Sequence, residues 1–393
     1  MKSLLILSPF PVLPSSDSQS SALAAYVFQF LTSFKSKDRK KIVVLAQENR
    51  VKHVKIWKDV EIHYSWSSRF PIFPITVLRE IFKIKPKTVN IQHELFAYGS
   101  ALNNFSLVIV EAICRLAGIN VVITLHSAIP LKIVDKNFIK VNSIKILPVI
   151  LRLSIVIIFK SLCLFANKVI VHDLQIKKIL TDDYKIRAGK IEIIPLFMFK
   201  FEGSRKKINE TKKSNNFLFF GFLTWYKGLE TLVDAANLIK LDKDNINITI
   251  AGSIPKRFSG NIIYNDWLQK LRAKSKKNAH LIWNIDYIPA ENIRLFFDQA
   301  FAVLLPYEFH LSSSGPLTYA VGNSNMILAS DTFKGALPDE ILFGSSAKDL
   351  VNKIKELSSN KMCQKANLKA VKKLQALWRD SIIVGKLLEI YDL

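Results

Sequence analysis

Residues 304–331 read LLPYEFHLSSSGPLTYAVGNSNMILASD, and the pattern is a buried strand, a serine-glycine loop, a short helix and a second strand. Pro316 directly follows Ser312, Ser313, Ser314 and Gly315. Proline suits the first helical position, where free backbone N–H groups attract an anion. The loop offers hydroxyls and N–H groups with no bulky side chain in the way, so it can hold a phosphate. The ordinary meaning of such a run is a polar strand-to-helix turn.

Working outward, strand-like runs alternate with helical patterns along the whole chain. The first half predicts strands over 3–8, 41–46, 60–64, 88–93, 121–126, 168–171 and 191–195, with helices near 21–34, 75–82, 102–116, 143–165 and 174–184. Fully apolar strands such as VVITL imply a parallel sheet covered on both faces. Residues 200–216, KFEGSRKKINETKKSNN, are polar and basic without apolar period and read as a linker or surface loop. A second alternation runs from strand 217–220 to strand 326–330. The expected class is α/β, with two doubly wound domains, 1–198 and 217–370, joined by 199–216 and facing a cleft. Ligands in such sheets bind outside the carboxyl ends of the strands.

Two further positions bear on an anion. Gly221 follows the strand FLFF, and Lys227-Gly228 precedes the helix LETLVDAANLI, whose Leu229, Leu232, Val233, Ala236 and Ile239 make one apolar face. A lysine at a helix N-terminus sits badly with the positive end of the dipole unless an anion is present. An ordinary exposed lysine is the plainer reading of Lys227 alone; together with the Ser-Gly loop, a diphosphate ligand is favoured.

His126 closes VVITLH, and His93 closes TVNIQH, followed by Glu94. Both histidines are expected at strand carboxyl ends facing the cleft, although strand-end histidines also cap loops. His172-Asp173 ends a strand too, and there the capping reading is preferred. The histidines show no metal-ligand spacing. Asp242-Lys243-Asp244 has the D-x-D form, but its polar loop setting points to a solvated turn, as for Asp182-Asp183.

Composition narrows the partners. Of 393 residues, 49% are hydrophobic and 22% charged, with a net charge of +24. That describes a folded chain with anionic partners. No helix-turn-helix, zinc-finger spacing or aromatic-basic RNA signature occurs, so nucleic acid is not favoured. Cys114, Cys163 and Cys363 are far apart, which excludes a disulfide framework and suggests a reducing compartment. The run Leu4–Leu7 is too short for a signal h-region and is read as a first strand.

Two segments suggest a membrane surface. In residues 144–166, IKILPVILRLSIVIIFKSLCLFA, Lys145, Arg152 and Lys160 stand seven and eight apart on roughly one helix face, and the rest is almost wholly apolar. Burial in the core is the preferred expectation, with a helix lying on a membrane as the other. Residues 67–87 interleave Phe70, Phe73, Ile75 and Phe82 with Arg69, Arg79, Lys83, Lys85 and Lys87. Such a segment suits an anionic membrane or a lipid-phosphate acceptor, or makes a core helix with a basic outer face.

At FLFFGFLTWYKGLETLVDAANLI the chain resembles the start of the C-terminal domain of retaining GT-B glycosyltransferases of family 4, nearest a mannosyltransferase-like subgroup. The match recurs at VNIQHELFAYGS, VVITLHS, IEIIPLF, the opening stretch, and the tail ALWRDSIIVGKLLEIYDL. The resemblance implies a GT-B fold whose closing helix, 371–393, returns to the N-terminal domain. It implies hexosyl transfer from a GDP- or UDP-linked sugar to a glycan or lipid-linked acceptor, in the cytoplasm or at the inner membrane face. No cofactor and no metal is implied, since these folds neutralise the leaving diphosphate with basic side chains and helix N-termini. Carried over, Lys227 grips the diphosphate beside Gly221, Ser313, Ser314 and Gly315 cover the phosphates, and His126 lies near the transferred sugar as the catalytic-site residue. Gln19, His93 and Glu94 fall on the acceptor side. Three positions depart: Phe222 replaces the usual arginine, and the two usual glutamates fall on Leu311 and Tyr319, so Tyr319 must meet the ribose differently.

Overall fold

The computed structural model describes residues 2–11, 22–48, 53–95, 97–201, 215–239, 246–276 and 278–393. Gln19, Asp242 and Asp244 lie outside these. The N-terminal domain runs β1 Leu4–Leu7, α1 Ala22–Ser33, α2 Ser36–Arg39, β2 Ile42–Gln47, β3 His53–Trp57, β4 Val60–Trp66, α3 Ile72–Ile84, β5 Thr88–His93, α4 Ala101–Leu116, β6 Asn120–Leu125, α5 Lys136–Val141, α6 Pro148–Phe165, β7 Lys168–Val171, α7 Leu174–Asp182 and β8 Ile191–Ile193. The C-terminal domain runs β9 Asn215–Phe220, α8 Leu229–Leu238, β10 Ile246–Gly252, α9 Ile262–Ser275, β11 Leu281–Ile285, α10 Ala290–Gln299, β12 Ala302–Leu305, α11 Gly315–Gly322, β13 Met326–Ser330, β14 Leu342–Phe343, α12 Ala347–Ser359, α13 Lys361–Leu377 and α14 Asp380–Tyr391.

The first sheet has the order β3-β4-β2-β1-β5-β6-β7-β8 and the second β11-β10-β9-β12-β13-β14. Pairing is parallel throughout the named strands except at β3–β4. The runs LLIL and IVVLA are buried at every residue, because helices cover both faces. The sequence reading omits β3, whose half-buried and exposed residues alternate as on an edge strand. Its hairpin turn is Lys58-Asp59, both at positive φ (44° and 72°), where the usual signal is Asn-Gly. With no glycine in the turn, the hairpin left no local mark.

α14 packs Ile383, Val384, Leu387 and Tyr391 into the cluster of β1 and α1, and Thr88 Oγ1 donates to the Tyr391 carbonyl at 2.9 Å. α13 runs unbroken through residue 370 and packs Ala370, Val371 and Leu374 on the C-terminal domain. The return therefore starts after Trp378, which touches the clusters of both domains, and not at residue 371.

The expected burial of residues 144–166 is overturned. Only 22% of the α6 residues are buried, among them Ile155, Phe159 and Leu162, while Val149, Ile150, Leu153, Ile157 and Leu164 are exposed. One side of α6 covers the sheet, and nothing among the described residues covers the other.

Candidate functional site

Parallel strands bring their carboxyl ends to one edge, and the two sheets place β5, β6 and β7 opposite the loops after β9, β10 and β12. The loop before α11 crosses between them. Ala128 N–H donates to the Leu311 carbonyl (3.1 Å) and Ser313 N–H to the His126 carbonyl (3.2 Å), forming an antiparallel bridge at Ser127–Ser312. His310 Nε2 meets Asp173 Oδ2 at 2.9 Å, Gln175 Nε2 donates to the Lys334 carbonyl, and Asn261 Nδ2 reaches the Val141 carbonyl and Ser143 Oγ. Each joins one domain to the other.

Lys227 closes a short turn after Thr224 and is buried. Gly228, at φ 73°, follows it, and a Cβ there would stand 1.7 Å from the Pro306 carbonyl, so no other residue fits. A Cβ on Gly221 would lie 3.3 Å from Lys227 Nζ and 3.3 Å from Pro316 Cγ. The glycine thus opens the space in which the ammonium faces the start of α11. Burial, and secondarily the charge of Arg257, pulls the Lys227 pKa down to about 8. Among the described residues no carboxylate lies within ion-pair distance of it. A buried cation without a counter-charge costs several kcal/mol and calls for an anion.

In the serine loop, Ser314 is the N-cap of α11: its Oγ accepts from Leu317 N–H at 3.3 Å and pairs with Tyr307 Oη at 2.9 Å. Ser313 Oγ is buried without a partner, as is His310 Nδ1. Both residues line a cavity of about 290 Å³ on the cleft floor, with His172, Asp173 and Trp378.

His126 sits inside a chain of hydrogen bonds. Asn90 Nδ2 donates to the Val122 carbonyl and Thr124 Oγ1, which leaves Asn90 Oδ1 to accept from Gln92 Nε2. Gln92 Oε1 then accepts from His126 Nε2 at 2.7 Å, and His172 Nδ1 donates to the Ile194 carbonyl at 2.9 Å. With both outer nitrogens donating, the neutral pair leaves His126 Nδ1 and His172 Nε2 bare, facing each other at 3.2 Å. One shared proton would satisfy both, but burial opposes it. Burial first, then His172 and His93, holds His126 well below the usual histidine range, and burial brings His172 to about 4. Tyr26 packs edge-on to His126.

The other expected residues are placed as follows. His93 is buried with its ring edge-on to Phe159 of α6, and burial lowers its pKa to about 4. It ends β5 as expected but turns into the core. Burial raises the Glu94 carboxyl, against the opposing charge of Arg257. Tyr319 stacks on Phe199 (4.7 Å) and Phe201 (5.5 Å), within the segment joining the domains. Leu311 packs against the N-terminal apolar cluster together with Phe309 and Trp225, and Phe222 is exposed. Sequence reasoning passed over Arg257, whose only signal was a Lys-Arg pair beyond the end of β10. It also undervalued His172-Asp173: Asp173 does cap α7, accepting from Ile176 N–H at 2.9 Å, while its second oxygen holds His310.

The domain arrangement decides the architecture. The chain superposes over 99% of its length on a sucrose-phosphate synthase from Thermosynechococcus elongatus, covering 98% of that chain with a TM-score of 0.73 at 14% identity.

The fold is GT-B.

The same GT-B arrangement appears in Anabaena Alr3699/HepE in complex with UDP and glucose (TM-score 0.65, 11% identity, 99% of both chains). It appears again in an α,α-trehalose-phosphate synthase (UDP-forming) from Burkholderia vietnamiensis (TM-score 0.66, 11% identity, 99% of this chain and 96% of that one). Residues 200–312 match the family model Glycosyl transferases group 1, a segment that holds Gly221, Lys227 and the start of the serine loop. No curated protein matches the chain by sequence.

Proposed function

We propose that this GT-B protein transfers a hexosyl group from a nucleotide-diphosphate sugar, GDP- or UDP-linked, to a glycan or lipid-linked acceptor with retention. One observation carries the reading: the buried Lys227 ammonium, without an acidic partner, faces the start of α11 across the space left by Gly221. A diphosphate there supplies the missing counter-charge and draws on the helix dipole. Ser313, with its unpartnered hydroxyl, Ser314 and Gly315 complete the phosphate side, and Arg257 supplies a second cation where Phe222 does not. The leaving phosphate, neutralised by these groups, assists front-face attack by the acceptor hydroxyl. No cofactor takes part. Mannose is the sugar favoured by the subgroup resemblance.

His126 is the residue assigned to the transferred sugar, with His93, Glu94 and Gln19 on the acceptor side. Because the His126 carbonyl holds Ser313, a sugar between them requires that interdomain bond to open. The acceptor reading places the protein in the cytoplasm, peripheral on the inner face of an anionic membrane.

A second reading has its own observation. Leu311, where a glutamate is usual, packs into the N-terminal apolar cluster and helps to close the cleft. A catalytically degenerate homologue serving as a binding or scaffold subunit would keep such a closed contact. Calorimetry with UDP and GDP, followed by turnover with the matching sugars, separates the two. Heat with one nucleotide that Lys227→Ala abolishes supports the transferase site; no heat with either removes it.

A further inference from the structure

The outer layer of the N-terminal domain presents an apolar face that no described residue covers. α3, α4 and α6 lie side by side over one face of the first sheet, with Phe73, Leu107 and Phe159 pointing inward. Their outward faces are apolar as well. On α4, Leu102, Phe105 and Ile109 recur at three and four residues and are 47–58% exposed, a spacing that ordinarily marks a core stripe. Leu153, Ile157 and Leu164 on α6, and Ile75 and Phe82 on α3, continue the patch.

Charge on this face has one sign. Arg79, Lys83, Arg115, Arg152 and Lys160 are the exposed charged residues of the three helices. The two carboxylates turn inward, Glu80 onto His63 Nδ1 at 3.2 Å and Glu111 into the core. Apolar side chains interleaved with lysine and arginine, with no exposed acid, complement an anionic lipid surface: the aliphatic stems lie in the acyl boundary and the charges meet phosphate. A second copy on the same face would set like charges against each other.

We propose that α3, α4 and α6 form a membrane-docking face that seats the N-terminal domain on an anionic bilayer, with the helices lying along the surface. α6 has 18 residues and a mean hydropathy of 2.1, the bare minimum for crossing. It remains packed on the sheet through Ile155, Phe159 and Leu162, with two cations in its length, so it lies on the bilayer and does not cross it. Helices that follow parallel strands start at the carboxyl edge, so α3 and α4 begin at the cleft rim. Val141 and Ser143, just before α6, touch Asn261 across the cleft. The docked face therefore ends at the cleft mouth, where a membrane-borne acceptor would enter. That last point rests on the proposed acceptor-side reading; the docking itself does not.

The test uses the full chain and sedimentation with vesicles of phosphatidylglycerol or phosphatidylcholine, at 0.1 and 0.5 M salt. The expected result is binding to phosphatidylglycerol that falls at least tenfold on phosphatidylcholine and at high salt. Leu153→Glu with Ile157→Glu, Phe105→Ser on α4, and Arg79→Glu with Lys83→Glu should each weaken it at least tenfold, with unchanged circular dichroism. Wild-type protein left in the supernatant with phosphatidylglycerol overturns the proposal, as does equal binding by the charge-reversed variant. A concentration-dependent dimer broken by Leu153→Glu, without vesicle binding, assigns the face to a second copy and overturns it too. Calorimetry with UDP and GDP on the same samples keeps failure of the donor site distinct from failure of docking.

Discussion

Ser313 donates its backbone N–H to the carbonyl of His126 at 3.2 Å, so the serine loop of one domain is bonded to a strand end of the other. The same strip contains the bond between His310 and Asp173. Burial pushes the Asp173 carboxyl up, but the charge and hydrogen bond of His310, with the Ile176 N–H, outweigh it and hold the group below its usual 3.8. Asp173→Asn keeps the helix cap and loses the charge, so it should destabilise the protein by about 1–2 kcal/mol at neutral pH. A depressed carboxyl stabilises above its unfolded pKa and loses that contribution as pH falls through the folded value. The variant and wild type should therefore converge below about pH 4 in urea titrations.

Lys227→Ala should cost at least tenfold in nucleotide affinity, about 1.4 kcal/mol, without lowering the melting temperature, since it removes an uncompensated buried charge. The folded pKa, about 8, lies below the unfolded 10.5. The unfolded chain then binds more protons between those values, so wild-type stability should rise with pH from about 8 to 10.5 relative to the alanine variant. Nucleotide affinity should fall over the same rise, as the ammonium is lost. Calorimetry at pH 7 and 9 reads the affinity, and thermal melts read the stability.

Glu111 is buried in α4 with neither carboxyl oxygen bonded, and burial raises its pKa well above 4.5 against the weak opposing charge of Lys190. A raised carboxyl contributes stability below its unfolded pKa and loses it as pH climbs toward the folded value. Measured against Glu111→Gln, wild-type stability should fall as pH rises from 4.5 toward the folded value, by up to about 1.4 kcal/mol per pH unit. Urea titrations at pH 5, 6 and 7 measure it.

The His126–His172 pair acts on the opposite side. Both folded pKa values lie below 6.5, that of His172 at about 4. The unfolded chain takes up protons first, so stability should drop as pH falls from 6.5 toward 4, by about 1.4 kcal/mol per unit for each histidine. His172→Asn keeps a donor for the Ile194 carbonyl and should make the drop shallower, read from denaturation curves at pH 4.5 and 6.5.

Local pattern was enough for the two alternations of strand and helix, since VVITL or FLFF carries its burial in its own residues, although β9 begins at Asn215, two residues inside the stretch read as a linker. It was enough also to find the turns before α8 and α11, because Gly221, Lys227-Gly228 and Ser314-Gly315-Pro316 declare themselves through backbone requirements within a few positions. The hairpin at Lys58-Asp59 and the continuation of α13 past residue 370 were not legible, as the hairpin turn has no glycine and the helix carries on to Leu377 without a boundary signal near 370. Three matters were left to the assembled chain. His126 meets His172, Gln92 and Ser313 only because three parallel strands end together opposite the second domain. Leu311 and Tyr319 find apolar and aromatic partners in segments remote in sequence, which no spacing encodes. Whether the apolar outer side of α6 is covered depends on what packs against it, and a helical wheel gives the same pattern either way. Distance between elements, not periodicity within them, settled each of these.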